Sequence, residues 1–324
     1  MMASRLFEAT TVNVKQFKTL IEVLKEFIIE APMEVVSDDY MNKKKGDDLE
    51  DDEDNDEENN DSQDEKVKDD KKGFIRITST DQHGVLLAQV TLFARKFNVF
   101  RCRQKIFDAG ISIETLHKLI KPLDNNDILT MYVDENDKQK LSFRVTNDEA
   151  KRVSEFKLKL LDINKQSISS TIKPDAKIKM NSTEFHKICK EMSSISDKVE
   201  ILCTKNEIQF KCKGDSAEKI TIITLDKDNI RLSPQIKNKD KAIIQGIFDL
   251  KNLSTFAKCQ GFCKYVMLYL SNERELCMNY NIGAIGTINV AISPVNNEKT
   301  ISDDDDYNNE SEDDLEEVEI RDDI

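Results

Sequence analysis

A chain of 324 residues with 38 % hydrophobic residues and a formal net charge of −14 can bury two ordinary cores beside disordered additions. No charge-free apolar stretch approaches the roughly 20 residues needed to cross a bilayer, and the first residues lack a secretory pattern, so neither a membrane span nor secretion is expected. Seven cysteines without a C-x-x-C pair read as reduced thiols, and neither a disulfide framework nor a zinc site is expected.

The first predicted helix is entered at Val12, with Asn13 as its N-cap. Phe17, Leu20 and Ile21 share one helical face, and Lys15, Thr19 and Glu22 share another. Residues 37–72 follow, with 17 acidic and 7 basic side chains and runs such as Asp51-Asp52-Glu53-Asp54. Such a segment cannot bury enough apolar surface to offset its chain entropy, so disorder is expected. It sits between Val35-Val36 and Phe74-Ile75, where a tight hairpin turn is expected and where a sheet tolerates a long loop at small entropic cost.

Strands are predicted over 73–78 and 85–93 from β-rich composition. A second helix start follows at Ile111 with Ser112 as cap. Its inner face is Leu116, Leu119 and Ile120, and its outer face is Glu114, Lys118 and Lys121. Strands over 127–134 and 139–145 come next, the latter alternating as Leu141-Ser142-Phe143-Arg144-Val145. The third start is Met180 with Asn181, placing Phe185, Ile188 and Cys189 inward and Thr183, Lys187 and Lys190 outward. Strands are predicted over 199–204, 207–213, 219–225 and 242–248. The fourth start is Phe248 with Asp249, with Leu253, Phe256 and Ala257 inward and Lys251, Thr255 and Lys258 outward. Strands over 265–270 and 275–282 precede a tail, 298–324, that has 14 acidic and 2 basic residues.

The four starts lie 99, 69 and 68 residues apart, and removing the 36-residue insertion reduces the first interval to 63. One supersecondary unit of strand, helix and several antiparallel strands is therefore used four times, two units to a domain. The outer helix faces together carry seven lysines against two glutamates. Insertion and tail carry −10 and −12, and subtracting both from −14 leaves +8 on the folded part. A basic core presenting repeated lysine faces suits a polyanion bound through its backbone, without sequence choice. No helix-turn-helix, zinc-finger or RNA-recognition signature is present to read bases. Nor is there a G-x-S-x-G, a phosphate-binding loop or a G-x-G-x-x-G, and His83, His117 and His186 lie far apart in sequence. No enzyme activity, cofactor or metal is expected. An acidic scaffold of the histone-chaperone kind, with the two acidic segments as its active parts, is the other reading the residues leave open.

Several motifs in order go further: Leu6-Phe7-Glu8-Ala9; Asp81 with Val85-Leu86-Leu87-Ala88-Gln89-Val90-Thr91-Leu92; Phe100-Arg101-Cys102; Lys179-Met180 with Glu184-Phe185-His186-Lys187-Ile188-Cys189-Lys190; and Ser293-Pro294. With the four helices in register, the chain resembles the eukaryotic-type DNA sliding clamps, the proliferating cell nuclear antigen family, over nearly all of its length outside the acidic segments. The lysine-, asparagine- and isoleucine-rich composition points to an AT-rich genome, such as that of a large DNA virus or a protist.

The resemblance implies an α+β clamp fold of two similar domains, each of antiparallel sheets with two helices, assembling head to tail into a homotrimeric ring. It divides the chain into an N-terminal clamp domain (1–159, holding the disordered acidic insertion 37–72), a connector (160–176), a C-terminal clamp domain (177–297) and a disordered acidic tail (298–324). It implies a non-catalytic processivity factor that encircles double-stranded DNA and tethers a replicative DNA polymerase and repair proteins. An ATP-dependent clamp loader and a nuclear or viral replication compartment follow from the same likeness. A checkpoint-type clamp subunit of a heterotrimer is the alternative within the family.

By position in the family pattern, Lys18, Lys25, Lys118, Lys121, Lys187, Lys190, Lys251 and Lys258 face DNA, with Lys15 added from helix geometry. Asp81, Val85, Leu87, Ile168, Ile172 and Pro294 are expected at the partner pocket. Thr80, Glu275 and Ala291 depart from the family there, standing where a methionine, a proline and an aromatic residue are usual. The subunit interface is expected to pair strand 140–147, with Leu141, Phe143 and Val145, against 217–225 of the next subunit, with Ile220 and Ile222, each being an exposed edge.

Overall fold

The structure, a computed structural model, describes residues 4–37, 73–81, 83–163, 174–224, 226, 228–233, 236, 239 and 242–295. Most of residues 37–72, the tail 298–324, and Ile168 and Ile172 lie outside the described residues.

Four copies of one unit build the chain. The first is β1 (Arg5–Thr11), α1 (Val14–Leu24), β2 (Glu30–Val36), β3 (Phe74–Thr80) and β4 (Leu86–Phe93). A short strand, β5 (Val99–Cys102), leads to the second: β6 (Ile106–Ser112), α2 (Ile113–Ile120), β7 (Ile128–Asp134), β8 (Asp137–Asn147) and β9 (Arg152–Lys159). The third is β10 (Ala176–Asn181), α3 (Ser182–Met192), β11 (Lys198–Cys203), β12 (Glu207–Lys213) and β13 (Glu218–Thr224), followed by β14 (Ile230–Leu232). The fourth is β15 (Ile244–Asp249), α4 (Leu250–Ala257), β16 (Tyr265–Leu270), β17 (Leu276–Ile282) and β18 (Gly286–Ile292).

Every unit is thus a strand, a helix and a three-stranded antiparallel meander. The units interlock in pairs, because the leading strand of each pairs with the first meander strand of its sibling: β1 with β7, β6 with β2, β10 with β16, and β15 with β11. This exchange makes two units, and not one, the smallest piece with a closed core. The pairs are joined by β4 against β18, from Leu86↔Ile292 to Leu92↔Gly286. A nine-stranded sheet, ordered β14-β10-β16-β17-β18-β4-β3-β2-β6, therefore runs through both halves, flanked by β5-β1-β7-β8-β9 and β13-β12-β11-β15. Gly286 is required at this seam, since a Cβ there would lie 2.1 Å from the carbonyl oxygen of Thr91.

The insertion occupies the place expected from the sequence: β2 and β3 form a hairpin whose pairing begins at Val36↔Phe74. Strand alternation sets the core. In β10, Ala176, Ile178 and Met180 are buried while Lys177 and Lys179 point to the opposite side. In β12, Ile208, Phe210 and Cys212 point inward, and Phe210 meets Phe185 of α3 at 6.2 Å between ring centroids.

The helices start for a shared reason, with one exception. Ser112 accepts a hydrogen bond from the Thr115 amide, Asn181 from the Thr183 and Glu184 amides, and Asp249 from the Asn252 amide. Asn13 makes no such bond; its own amide donates to Thr11 Oγ1 at 3.0 Å, and Val12 before it is 49 % exposed. Three strands run straight into their helices, whereas β1 stops two residues short of α1, and that slack turns the Asn13 side chain away. Replacing Asn181 with Ala should then cost about 1 kcal/mol in urea unfolding, and replacing Asn13 only a few tenths of a kcal/mol.

The structure corrects the expected interface strand. β8 is not an edge: it is paired on both sides, to β7 and to β9. Leu141, Phe143 and Val145 are 1 %, 0 % and 2 % exposed, and Phe143 stacks on Phe156 at 4.9 Å. The edge on that side of the sheet is β9, the next strand of the meander, and β5 is the opposite edge. β13, by contrast, is an edge of its sheet, with Ile220 and Ile222 exposed.

Candidate nucleic-acid interface

The helices pack pairwise, α1 beside α2 and α3 beside α4. The pairs are joined across the seam: Phe27, just past α1, meets Phe256 of α4 at 4.7 Å, and the Lys258 ammonium holds both carboxylate oxygens of Glu26, at 2.6 and 2.8 Å. The four α-helices of the described residues therefore form one continuous layer. Their apolar residues, including Phe17, Leu20, Leu116, Phe185, Leu253 and Phe256, are buried, which leaves the lysine faces outward.

The nine lysines singled out in the sequence are not equivalent. Lys18 is half-buried and donates to the Leu123 carbonyl oxygen. Lys118 is bound to Glu114 at 2.5 Å, Lys187 lies 3.9 Å from Glu191, and Lys258 is held by Glu26. Lys25 lies 3.2 Å from Nε2 of His117. Desolvation and the positive charge of Lys25 hold the His117 pKa below its usual value, so the ring is neutral at pH 7 and its Nε2 accepts from the ammonium. Lys15, Lys121, Lys190 and Lys251 are exposed and have no carboxylate within 4 Å among the described residues. They fall one to a helix, with Lys121 at the end of α2. Such a layer offers cations at spaced points, with their charge uncommitted. Sequence periodicity finds the face but not this distinction, because Glu26 and Lys258 are 232 residues apart.

On the other side of the nine-stranded sheet, Val85, Leu87 and Pro294 come together along the seam. Leu87 pairs with Ala291, and the Ser293 amide donates to the Val85 carbonyl at 2.8 Å. Asp81 closes the intervening loop: its carboxylate accepts from the Leu86 amide at 2.8 Å and its own amide donates to the Leu86 carbonyl at 2.9 Å. Gly84 takes φ +68° within that loop, a conformation suited to glycine. Thr80 sits opposite Leu87, and Cys277, two residues beyond Glu275, sits opposite Ala291.

β9 and β13 each end a sheet and are the edge strands equivalent to the paired β4 and β18. Val153 on β9 is 65 % exposed, and Ile220 and Ile222 on β13 are 53 % and 55 % exposed. Neighbouring charges are matched within the chain: Arg152 to Asp124 at 3.3 Å, Arg144 to Glu155 at 3.5 Å and Lys219 to Glu191 at 2.6 Å. Sequence reasoning missed Val153, although the alternation Ser154-Glu155-Phe156-Lys157-Leu158 marks a strand there. All seven cysteines are free, and burial raises the Cys189 and Cys203 thiols to about 12, so they stay protonated and serve as packing groups. Among the described residues no helix is long and apolar enough to cross a membrane, and no group of three or more metal-ligating side chains converges.

Comparison with known proteins gives the same picture. Residues 61–168 match the profile of the proliferating cell nuclear antigen N-terminal domain, and residues 170–295 match that of its C-terminal domain. A protein of Acanthamoeba polyphaga mimivirus named "Probable DNA polymerase sliding clamp" is 31 % identical over 228 residues, 69 % of this chain and 48 % of the mimivirus protein. The match thus spans about half the length of that relative. A protein of Paramecium bursaria Chlorella virus 1 named "Probable DNA polymerase sliding clamp 1" is 28 % identical over 226 residues, 68 % of this chain and 84 % of its own length. With an N-terminal and a C-terminal domain profile matched in order on a fold of four interlocked strand–helix–meander units, this chain belongs to the proliferating cell nuclear antigen family of DNA sliding clamps.

Proposed function

We propose that this chain is a DNA polymerase processivity factor, a non-catalytic ring that encircles duplex DNA and tethers a polymerase and other replication or repair proteins. The observation that carries the reading is the single helix layer with one uncommitted lysine on each helix. Such a surface holds phosphates without selecting bases, and a ring so lined can slide. Tethering then raises the local concentration of polymerase at the primer end without new chemistry. The names of the two viral relatives agree with this activity.

The seam supports a mode of assembly. The meanders of the first and fourth units end in β4 and β18, which pair within the chain. The meanders of the second and third units end in β9 and β13, the equivalent strands, left unpaired. Repeating the β4–β18 joint between subunits pairs β9 of one with β13 of the next and covers Val153, Ile220 and Ile222. The contact is head to tail, and it closes as a homotrimer of six domains. An ATP-dependent loader is needed to open such a ring on circular DNA, and the site of action is a nuclear or viral replication compartment. The partner segment docks along the seam at Val85, Leu87 and Pro294, with Asp81 fixing the loop.

The test is the salt dependence of duplex binding, read by fluorescence anisotropy. Substituting Lys190 and Lys251 with Ala should flatten the slope of log affinity against log salt by roughly 0.9 for each phosphate contact removed. Lys118→Ala, which removes an ammonium already bound to Glu114, should change it less. Equal slopes for all variants would place the DNA elsewhere.

A further inference from the structure

The side of the nine-stranded sheet away from the helices carries a basic and aromatic patch distinct from the lysine faces of the helix layer. α3 packs on β10 and β16 through their buried residues, so the alternate residues of those strands face the other way. Register aligns them in rows. Lys177 is opposite Arg231 on one side and Tyr269 on the other, and Lys179 is opposite Met267. The ring of Tyr265 has the Lys179 ammonium 4.6 Å and the Lys264 ammonium 5.2 Å from its centroid. Lys177, Lys179, Arg231 and Lys264 are all exposed, and none has a carboxylate within 4 Å among the described residues.

The same row leads back to the end of the described chain: Lys177 pairs with Tyr269, Tyr269 with Cys277, and Cys277 with Ala291. Three inter-strand steps of about 4.8 Å put Lys177 about 14 Å from Ala291. The acidic run Asp303-Asp304-Asp305-Asp306 begins twelve residues after Ala291, a span that reaches up to about 40 Å when extended. The tail 298–324 has 14 acidic and 2 basic residues, and it lies outside the described residues.

We propose that the tail 298–324 of this chain docks on the patch formed by Lys177, Lys179, Arg231 and Lys264 around Tyr265 and Tyr269. Its carboxylates meet the four cations, and its attachment beyond Val295 gives it an effective concentration that a separate acidic partner must exceed. The tail thereby reserves the patch for polyanions strong enough to displace it.

Zero-length carbodiimide coupling of the full chain, read by mass spectrometry, tests this without substitution: Lys177, Lys179 and Lys264 should join to Asp303–Asp306 or later acidic residues. Cross-links confined to other lysines would refute it. A synthetic peptide of residues 298–324 should also bind the chain truncated after Asn297 at least tenfold more tightly than it binds the full chain at low salt. Every described element ends before that point. Lys177→Glu with Lys179→Glu and Arg231→Glu in the truncated chain should lower peptide affinity at least tenfold. Equal peptide binding by the full and truncated chains would refute self-occupancy. Equal binding of an oligo(dT) of about twenty nucleotides by both, lost in the triple variant, would refute self-occupancy and assign the patch to single-stranded nucleic acid instead. None of these outcomes depends on ring assembly.

Discussion

Ile222→Asp on β13 should turn the assembled protein into a monomer, with a light-scattering mass falling from about three times 37.2 kDa to 37.2 kDa at micromolar concentration. The side chain is 55 % exposed in the single chain, so a carboxylate there costs the isolated subunit little. In a joint between β13 and the β9 of a neighbouring subunit it is covered by the added strand, where an unpaired charge loses its water without gaining a partner. Val153→Asp on the other edge should do the same. Mixing the two variants separates this geometry from any two-fold contact. Each protein retains one sound edge, so a head-to-tail joint forms once and then stops, giving dimers and no trimers. Trimers from the mixture, or from either variant alone, would rule out the β9–β13 joint. Processive synthesis with a cognate polymerase should be lost with the trimer.

Much of this arrangement is legible in the chain before folding, because the repeat is written in apolar spacing. The helix starts at Ile111, Met180 and Phe248 lie in strands that carry the cap as their last residue, and the inward faces behave as a 3.6-residue period dictates. The insertion is equally plain, since residues 37–72 contain almost no apolar surface and must leave the sheet at a turn.

What could not be read is pairing between distant segments. Leu141-Ser142-Phe143-Arg144-Val145 alternates as an edge strand would, yet with β9 formed from Arg152–Lys159 the same five residues are internal. Alternation reports one buried face and says nothing of which strand lies beside it. Charge follows the same logic. The nine lysines assigned to the helix layer look alike in sequence, and only the fold shows that Glu26 reaches Lys258 and that Leu123 takes the ammonium of Lys18. Asn13 illustrates a third gap: it has the residue type of a cap, but two residues of slack between β1 and α1 leave its side chain without the geometry.

Phe143 separates a core role from an interface role. It is fully buried, it stacks on Phe156 at an interplanar angle of 16°, and it borders the same interior space as Phe7, Phe17, Leu116 and Met131. Phe143→Ala removes a large ring from a space whose walls are strands held by ladders on both sides, so collapse into the void is limited and the loss should be about 3–5 kcal/mol. The effect should be measured in the Ile222→Asp background, where assembly no longer contributes to apparent stability. At about 2–3 kcal/mol per molar for urea on a chain of this size, the unfolding midpoint should fall by about 1–2.5 M. Val153→Ala in the same background removes a side chain that is mostly in water, and should shift stability by no more than about 0.5 kcal/mol. In the assembling protein the order reverses: Val153→Ala weakens the trimer, while Phe143→Ala leaves the trimer mass intact for as long as the N-terminal half stays folded. A Phe143→Ala protein that keeps its urea midpoint but dissociates would return this side chain to the interface and make β8 an edge after all.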